Sequence, residues 1–430
     1  MPPALTLATI AANALVYLAM GLSGASWTDP GVLDAAKWGA DFGPLTLYSE
    51  WWRLFTSTFV HFGIIHILLN MWCLWNLGST LEPLMGRKVF GVTYVACGLA
   101  ASLTSTAWNP WRVSAGASGA IFGVAGALVS YFALKKTPLD RALVNRNLKS
   151  LALFIFYNLL YGVSGRVDNS AHLGGLIAGL ILGAAIPAMF RTSAGPQYTP
   201  VGPPEPLQDA AASRENRVAL AAAGFSAVFL LLAFAVIRVQ KADVADYGRA
   251  VKMIKANRPD QAVAPLEQVV KLHPEVSIAQ AMLGSVQLRL ENPAGAVAPL
   301  EAAAKLQPRS FEVQHNLALA YLGAGRASDA IELANSSIRV QEGAVAAAKS
   351  GAKGAWWATF YIRGIAEAEL SDVSGAASDF RSIVQMNPNL EEAKSALAQL
   401  QAANTAGRSR QFDIPYAKLV YSSPYWPLYP

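Results

Sequence analysis

The sequence is poor in charge, cysteine and histidine. Only 14% of its 430 residues are charged and 53% are apolar, whereas soluble globular proteins average about 25% charged residues. A disordered chain is excluded, because disorder goes with low hydrophobicity and high charge. The only cysteines, Cys73 and Cys97, lie in apolar stretches, which excludes a disulfide scaffold. Nucleic acid is not expected as a partner, because the basic residues form no stripe interleaved with aromatic side chains.

The scarcity of charge is concentrated in the first half of the chain. Residues 1–190 hold 18 charged residues and residues 191–430 hold 44, yet three of the five histidines lie in the charge-poor part. A bilayer-spanning helix needs about 20 apolar residues, and seven uncharged windows come close to that length. The windows are 4–24, 54–81, 89–108, 113–134, 150–165, 169–190 and 218–237. They predict a polytopic domain embedded in a lipid bilayer.

The basic residues predict the orientation of this domain. They concentrate in loops 82–88 and 135–149, whereas loop 25–53 is mainly acidic. Because basic loops stay on the cytoplasmic side, we expect a cytoplasmic N-terminus and an external loop 25–53. Everything after the seventh span then lies outside. We expect the membrane to be a bacterial plasma membrane, since the sequence shows no organelle-targeting feature.

The second half contains an internal repeat. VAPLEQVVKLHP at 263–274 recurs as VAPLEAAAKLQP at 297–308, with eight of twelve positions identical at an offset of 34. This half resembles the tetratricopeptide-repeat family, whose period is 34 residues and whose helical pairs stack into solenoids. The resemblance implies a concave face that binds a protein or peptide partner. The alternative is that the array packs on its own membrane domain or dimerises.

The predicted fold class is therefore all-α, a transmembrane helix bundle followed by an α-solenoid. The first domain, 1–190, holds six spans. A linker rich in proline and glycine follows at 191–216, and a seventh transmembrane helix at 217–239. The repeat array occupies 243–403, and an aromatic, proline-rich tail for which we have no prediction occupies 404–430.

Polar residues inside a bilayer are costly, so each one is a functional candidate. His66 and Asn70 in span two are four residues apart and share a helix face. Two side chains that converge in this way suit stabilisation of a developing negative charge. The alternative is a hydrogen bond between helices, worth only about 0.6 kcal/mol on average.

A second and a third candidate group lie in spans four and six. Ser118 stands between Gly116 and Gly119, so its hydroxyl is accessible. His172 begins a ridge of glycines, including Gly175 and Gly179, that lets a neighbouring helix approach closely. If span four is that neighbour, the His172 ring meets the Ser118 hydroxyl and activates it as a nucleophile. Each group taken alone is more simply explained as packing, but together they supply a nucleophile, a base and oxyanion donors.

In this order and on these spans, the motifs closely resemble the rhomboid family of intramembrane serine proteases over about residues 45–190. The resemblance implies a six-helix core and a dyad of Ser118 as nucleophile and His172 as general base. It implies an oxyanion hole made by the Ser118 backbone N–H and the His66 and Asn70 side chains. It also implies structural supports, which are Arg53, His61, Glu82, Gly116, Gly119, Phe122, Gly175 and Gly179. No metal and no cofactor are expected.

Two residues depart from the pattern of that family or complicate it. Phe122 stands where the family often has a tyrosine stacked on the histidine, so the ring can stack but cannot donate a hydrogen bond. Asp168 lies four residues before His172 and suggests a triad, but we expect it in an external loop, because an unpaired buried carboxylate is costly.

The leading hypothesis is an endopeptidase that cleaves transmembrane segments of membrane proteins, with substrate or adaptor bound by the array. The alternative is a catalytically inactive rhomboid-like scaffold that binds membrane proteins. Inactive relatives usually lose the serine or the histidine, whereas both are present here, which favours the enzyme. A transporter is a third class, but it would show inverted repeats or broken helices, and the spans show no internal repetition.

Overall fold

The structure is a computed structural model that describes residues 3–134, 140–163, 167–190, 207–347, 356–406, 412 and 414–420. The described residues are almost entirely helical. They divide into two compact units, Met1–Gly248 and Arg249–Pro430. The predicted all-α fold class is confirmed.

Unit 1 begins with the helices that form or surround the membrane domain. They are α1 (Ala4–Leu22), α2 (Val32–Lys37), α3 (Gly43–Tyr48), α4 (Arg53–Thr56), α5 (Ile64–Met85), α6 (Arg87–Trp108), α7 (Ser118–Leu134), α8 (Arg141–Gly162), α9 (Asn169–Phe190), α10 (Leu207–Gln240) and α11 (Ala242–Lys255). A 3₁₀ turn occupies Ser57–Phe59. Two short strands, β1 (Asp41–Phe42) and β2 (Val113–Ser114), pair antiparallel and join loop 25–53 to the segment before α7.

Among the described residues, five helices are long and apolar enough to cross a membrane, namely α1, α5, α6, α9 and α10. Helix α7 is apolar but has only 17 residues. Helix α8 contains most of the predicted short span 150–165, but it begins at Arg141. The predicted loop 135–149 is therefore wrong from Arg141 onward, where the structure is helical. The protein is an integral membrane protein, as expected.

Two further boundaries differ from the prediction. Helix α5 ends at Met85 and α6 begins at Arg87, so the predicted loop 82–88 shrinks to Gly86, which has φ +90°. The predicted linker 191–216 is too long, because α10 already begins at Leu207. Residues 208–216 of that linker include no proline, which explains why the helix extends through them. Residues 191–206 lie outside the described part of the chain.

Glycines on α7 and α9 bring these two helices into backbone contact. A Cβ added at Gly175 would overlap the Gly119 carbonyl oxygen, and one at Gly179 would overlap the Gly123 carbonyl oxygen. A Cβ added at Gly183, one further turn along, would lie 2.6 Å from the Ala127 backbone. Only residues without a side chain allow two helices to pack this closely. The ridge places His172 beside the start of α7.

The residues near the start of α10 and just beyond its end contact different parts of the membrane domain. Near its start, the Glu215 carboxylate accepts a hydrogen bond from the Lys88 backbone N–H at the beginning of α6. Beyond its end, the Tyr247 ring packs edge-on against Phe42 and Trp111, at centroid distances of 6.2 and 5.7 Å. Since Phe42 belongs to loop 25–53, α10 crosses from the side of Lys88 to the side of that loop.

Unit 2 is a stack of helical pairs. After the second part of α11 and a 3₁₀ turn at Pro259–Ala262, it contains α12 (Val263–Leu272), α13 (Ser277–Arg289), α14 (Pro293–Leu306), α15 (Phe311–Gly323), α16 (Ala327–Ala347), α17 (Trp357–Glu369), α18 (Val373–Met386), α19 (Glu391–Ala406) and α20 (Tyr416–Leu419). The pairs are α11–α12, α13–α14, α15–α16 and α17–α18. Helix α19 follows the last pair and packs on α18.

The repeat is visible in the backbone. The turn inside each pair places one residue at positive φ, and these residues are Asn257, Glu291, Gly325 and Ser371. Asn257, Glu291 and Gly325 are 34 residues apart, which is the repeat period, and Ser371 lies 46 residues after Gly325. A left-handed residue at this position ends the first helix of each pair. Small residues allow the two helices to cross, as where a Cβ on Gly364 would lie 2.9 Å from Phe380.

Candidate active site

Ser118 is the first residue of α7, and the preceding loop holds it in place. Gly116 has φ +129°, a conformation that residues with a side chain rarely adopt. The Gly116 N–H donates to the Ser57 carbonyl at 2.9 Å. The next N–H, of Ala117, donates to His61 Nε2 at 3.4 Å. Both contacts fix the backbone immediately before Ser118.

His172, in the first turn of α9, lies beside that serine. Its Nε2 is 3.0 Å from the Ser118 Oγ, which is hydrogen-bonding distance. The Phe122 ring stacks on the imidazole at a centroid distance of 4.2 Å and an interplanar angle of 8°. Among the described residues, His172 Nδ1 has no hydrogen-bond partner. The tautomer with the proton on Nδ1 leaves Nε2 free to accept the serine proton.

His66 and Asn70 line the same cavity as the serine and histidine, a space of about 410 Å³. A Cβ placed on Gly116 would lie 2.9 Å from the His66 ring and 3.8 Å from the Ser118 Oγ, so these two side chains flank Gly116. His66 Nδ1 accepts the Phe62 N–H at 3.3 Å, which leaves Nε2 as the protonated donor. The Asn70 amide donates one N–H to the His66 carbonyl at 2.9 Å.

His61 and Arg53 hold the loops rather than line the cavity. His61 is fully buried, and its Nδ1 is 3.3 Å from the Phe59 carbonyl oxygen. Because Nε2 accepts the Ala117 N–H, the ring links Phe59 to the loop before Ser118. Arg53 is also buried and donates to the carbonyl oxygens of Ala36 and Ala40 at 2.7 and 2.8 Å. It thereby ties together the irregular backbone of loop 25–53.

Glu82 has a contact that the sequence could not indicate. We expected it in a loop after span two, but it lies in the last turn of α5 and is buried. Its carboxylate accepts the N–H groups of Leu5 and Thr6 at 3.0 and 2.8 Å, and the Thr6 hydroxyl at 2.7 Å. These N–H groups at the start of α1 have no partner within the helix, so Glu82 acts as a cap from 76 residues away.

Asp168 precedes α9 and does not bond to His172 Nδ1. Its carboxylate accepts the hydroxyls of Ser105, Ser114 and Ser170 at 2.5 to 2.7 Å, and the Ala171 N–H at 3.1 Å. Burial alone raises the pKa of this carboxyl, but the four hydrogen bonds outweigh burial and the pKa is lowered. The carboxylate fixes the start of α9, one turn before His172.

Sequence reasoning missed several buried polar residues around this site. Ser57 and Ser102 share a hydrogen bond of 3.0 Å and both line the cavity. Asp41 accepts the hydroxyls of Thr46 and Thr106 at 2.6 and 2.8 Å, and burial raises its pKa to about 6. No spacing in the sequence brings these residues together, since their partners lie on different helices. Within the described residues, no three His, Cys, Asp or Glu side chains cluster as a metal site would require.

Two parts of the chain match models of known protein families. The rhomboid domain model matches residues 48–188, and the tetratricopeptide-repeat model matches residues 253–311 and 282–349. The rhomboid protease AarA of Providencia stuartii is 30% identical over an alignment of 203 residues. That alignment covers 42% of this chain and 72% of AarA. The chain belongs to the rhomboid family. It combines a rhomboid domain with tetratricopeptide repeats, as the sequence predicted.

Other rhomboid relatives match a smaller share of their own length. The rhomboid protease GluP of Bacillus subtilis is 37% identical over 43% of this chain and 35% of GluP. RHOMBOID-like protein 5 of Arabidopsis thaliana is 38% identical over 40% of this chain and 56% of that protein. This chain therefore spans between about a third and a little over half of these two relatives. Among solved structures, YrrB, a TPR protein with an unusual peptide-binding site, is 18% identical with a TM-score of 0.33, covering 45% of this chain and 97% of YrrB.

Proposed function

We propose that this rhomboid protein is an intramembrane serine endopeptidase that cleaves transmembrane segments of membrane proteins. The observation that carries the proposal is the 3.0 Å contact between Ser118 Oγ and His172 Nε2, with the Phe122 ring stacked on the imidazole. Both residues lie on helices in backbone contact, so the distance between them is set by packing and does not depend on a loop. The names of its relatives GluP and AarA support the same chemistry.

The mechanism starts from the neutral dyad. His172 Nε2 accepts the Ser118 proton as Oγ attacks the carbonyl carbon of the substrate, which forms a tetrahedral intermediate. The imidazolium then donates that proton to the leaving amine, and an acyl-enzyme on Ser118 remains. Water, deprotonated by His172, attacks the ester carbonyl and regenerates the serine. Since Nδ1 has no partner among the described residues, the reaction uses two residues and Phe122 orients the ring by stacking.

The negative oxygen of the intermediate needs donors that are already in place. We propose three donors for this oxygen, which are His66 Nε2, the Ser118 backbone N–H and the second amide N–H of Asn70. Any side chain at Gly116 would meet the His66 ring at 2.9 Å. The glycine therefore keeps the space between nucleophile and donor open to the substrate carbonyl.

The repeat array is proposed to bind a protein or peptide, either the substrate or an adaptor. We place the N-terminus in the cytoplasm and the array outside, in a bacterial plasma membrane. This orientation is supported by the contacts on either side of α10. Glu215, near its start, lies beside Lys88 of the basic loop, and Tyr247, in the following helix α11, packs on Phe42 of the acidic loop. A protease added to the cytoplasmic side of sealed vesicles should spare residues 243–403. Digestion of the array from that side would contradict the orientation.

Cleavage of a membrane reporter tests the catalytic proposal. The protein is co-expressed with tagged single-span proteins, and wild type is compared with Ser118→Ala and His172→Ala. Ser130→Ala is the matched control, because Ser130 lies on the same helix and donates to the Leu180 carbonyl away from the cavity. We expect cleavage in wild type and control only. Cleavage that survives Ser118→Ala would rule out the dyad, and no cleavage of any reporter by wild type would favour the inactive scaffold.

A further inference from the structure

The tail of the chain, for which the sequence offered no prediction, packs on the repeat array. Leu419 and Val420 are buried, and Phe412, Ile414 and Tyr416 are partly buried in the same apolar cluster. Helix α20 contacts α13 and α17, and Leu419 also bonds to His315 on α15. These are the first helices of the second, third and fourth repeats, so the tail lies across a single face of the array.

A buried histidine of the array holds the backbone of the tail. His315 on α15 is fully buried, and its Nε2 lies 2.7 Å from the Leu419 carbonyl oxygen. Its Nδ1 lies 2.8 Å from the Thr359 hydroxyl. A neutral imidazole has one N–H, and the carbonyl can only accept, so Nε2 donates to the tail and Nδ1 accepts from Thr359. Without the tail, a buried donor on this face has no partner.

The side chains of the tail fit features of the same face. Gly323 lies directly under the Tyr416 hydroxyl, where any Cβ would overlap it. The Phe412 ring packs against Phe380 at a centroid distance of 6.1 Å. Lys418 forms an exposed ion pair with Glu392 on α19. The face therefore accepts an aromatic side chain, a tyrosine and an aliphatic pair, together with one backbone carbonyl.

We propose that segment 412–420 is an intramolecular ligand of the array, and that it occupies the site at which a partner peptide of the same chemistry binds. The inference rests on the array's proposed role as a peptide-binding surface. The strongest polar contact to the tail uses a backbone carbonyl, which every peptide carries, and the ion pair is exposed. Neither contact is specific to this chain, so a peptide from another protein with a tyrosine and an aliphatic pair can replace the tail.

The tail competes strongly with other peptides for this face, because it is tethered to the array. Residues 407–411 alone separate the end of α19 from Phe412, and a connection this short gives an effective concentration of the order of 1 mM. If the free peptide binds with a Kd of about 10 μM, the tethered segment is bound about 100 times as often as it is free. The apparent affinity of the intact chain for a competing peptide then falls about 100-fold.

Cutting the tether measures this competition without changing any residue of segment 412–420. A recognition site for a sequence-specific protease replaces residues 407–411 in the full chain, in the Ser118→Ala background so that the result is independent of proteolytic activity. The probe is a fluorescein-labelled synthetic peptide of residues 412–424, and its binding is followed by fluorescence anisotropy before and after cutting. Two control peptides carry Leu419→Asp, which places a charge in the buried pocket, and Lys418→Ala, which removes only the exposed ion pair.

We expect the cut chain to bind the probe at least 10-fold more tightly than the uncut chain. The Leu419→Asp peptide should bind at least 10-fold more weakly than the probe, and the Lys418→Ala peptide within about threefold of it. Equal affinity before and after cutting would leave the array a peptide binder but overturn the role of the tail. No binding to the cut chain would overturn the inference altogether. So would loss of the cooperative thermal transition of the array on cutting, since the tail would then be an integral part of its fold.

Discussion

Replacing Gly175 by alanine should disable the dyad without touching either of its members. Gly175 lies one turn after His172, and its added Cβ would overlap the Gly119 carbonyl oxygen, immediately after Ser118. The obstacle is helix backbone, which cannot rotate aside as a side chain can. Helices α7 and α9 must therefore separate at the level of the dyad.

The size of the effect follows from the present geometry. The Ser118–His172 distance is 3.0 Å, so a separation of about 1 Å breaks the hydrogen bond. A misplacement of about 1 Å costs about 100-fold in rate, which corresponds to about 2.7 kcal/mol in the activation free energy. Overpacking of this kind also destabilises the fold by about 1–3 kcal/mol. We expect kcat/KM to fall at least about 100-fold in a protein that still folds.

The assay is cleavage of a purified single-span reporter in proteoliposomes, with thermal unfolding measured on the same samples. Gly224→Ala on α10 is the control, because a Cβ there meets no atom within 4 Å; it should retain wild-type activity. Gly183→Ala creates a backbone clash on α9 two turns further from the dyad and should cost stability with a smaller loss of rate. A Gly175→Ala protein that folds and cleaves at the wild-type rate would show that the close contact of Gly175 with Gly119 does not set the geometry of the dyad.

Three other predictions follow from single contacts. Phe122→Ala removes the ring stacked on His172 and should lower kcat about 10- to 100-fold with little change in KM, whereas Phe122→Tyr keeps the ring and should retain most activity. Glu82→Ala leaves the N–H groups at the start of α1 without their cap and should lower the free energy of unfolding by about 1–3 kcal/mol, measured by thermal and denaturant unfolding. His315 is held neutral by burial, which lowers its pKa from 6.5 to about 4. Between these values the unfolded state binds the proton and the folded state does not, so stability is lost as pH falls from 6.5 to 4. From pH 7 to pH 5 the loss should be about 2 kcal/mol, measured by pulse proteolysis in urea, and His315→Asn should remove that part of the pH dependence.

Each of these has an outcome that contradicts it. Full activity of Phe122→Ala would show that stacking does not orient His172. An unchanged unfolding free energy for Glu82→Ala would mean that water caps α1 equally well. A His315→Asn protein with the same pH dependence as wild type would show that groups other than His315 cause the loss of stability.

The sequence predicted the parts of the fold that depend on local pattern. Uncharged windows located the spans, and the offset between the two VAPLE segments located the array, because both patterns record which face of each helix is buried. The glycine spacing after His172 likewise predicted a close helix contact. The sequence could not predict that Glu82 caps α1, or that Asp168 accepts the hydroxyls of Ser105 and Ser114, since these contacts join residues distant in sequence.

The boundaries of the helices and the position of the tail also could not be predicted from the sequence pattern. The linker prediction relied on the prolines between 192 and 206, and it extended past them into residues that are helical from Leu207. The tail carries aromatic and aliphatic residues without periodicity, so its composition did not indicate a binding partner. Its partner is the face formed by α13, α15 and α17, which exists only once the array has folded.

Covalent labelling tests directly whether Ser118 is a nucleophile activated by His172. The purified full chain is treated with a fluorophosphonate, which reacts with activated serines, and the modified residue is located by mass spectrometry. We expect one adduct, on Ser118, and its loss in His172→Ala, while Ser130→Ala is labelled as wild type. Labelling of another serine, or of Ser118 at an undiminished rate in His172→Ala, would show that His172 does not activate Ser118.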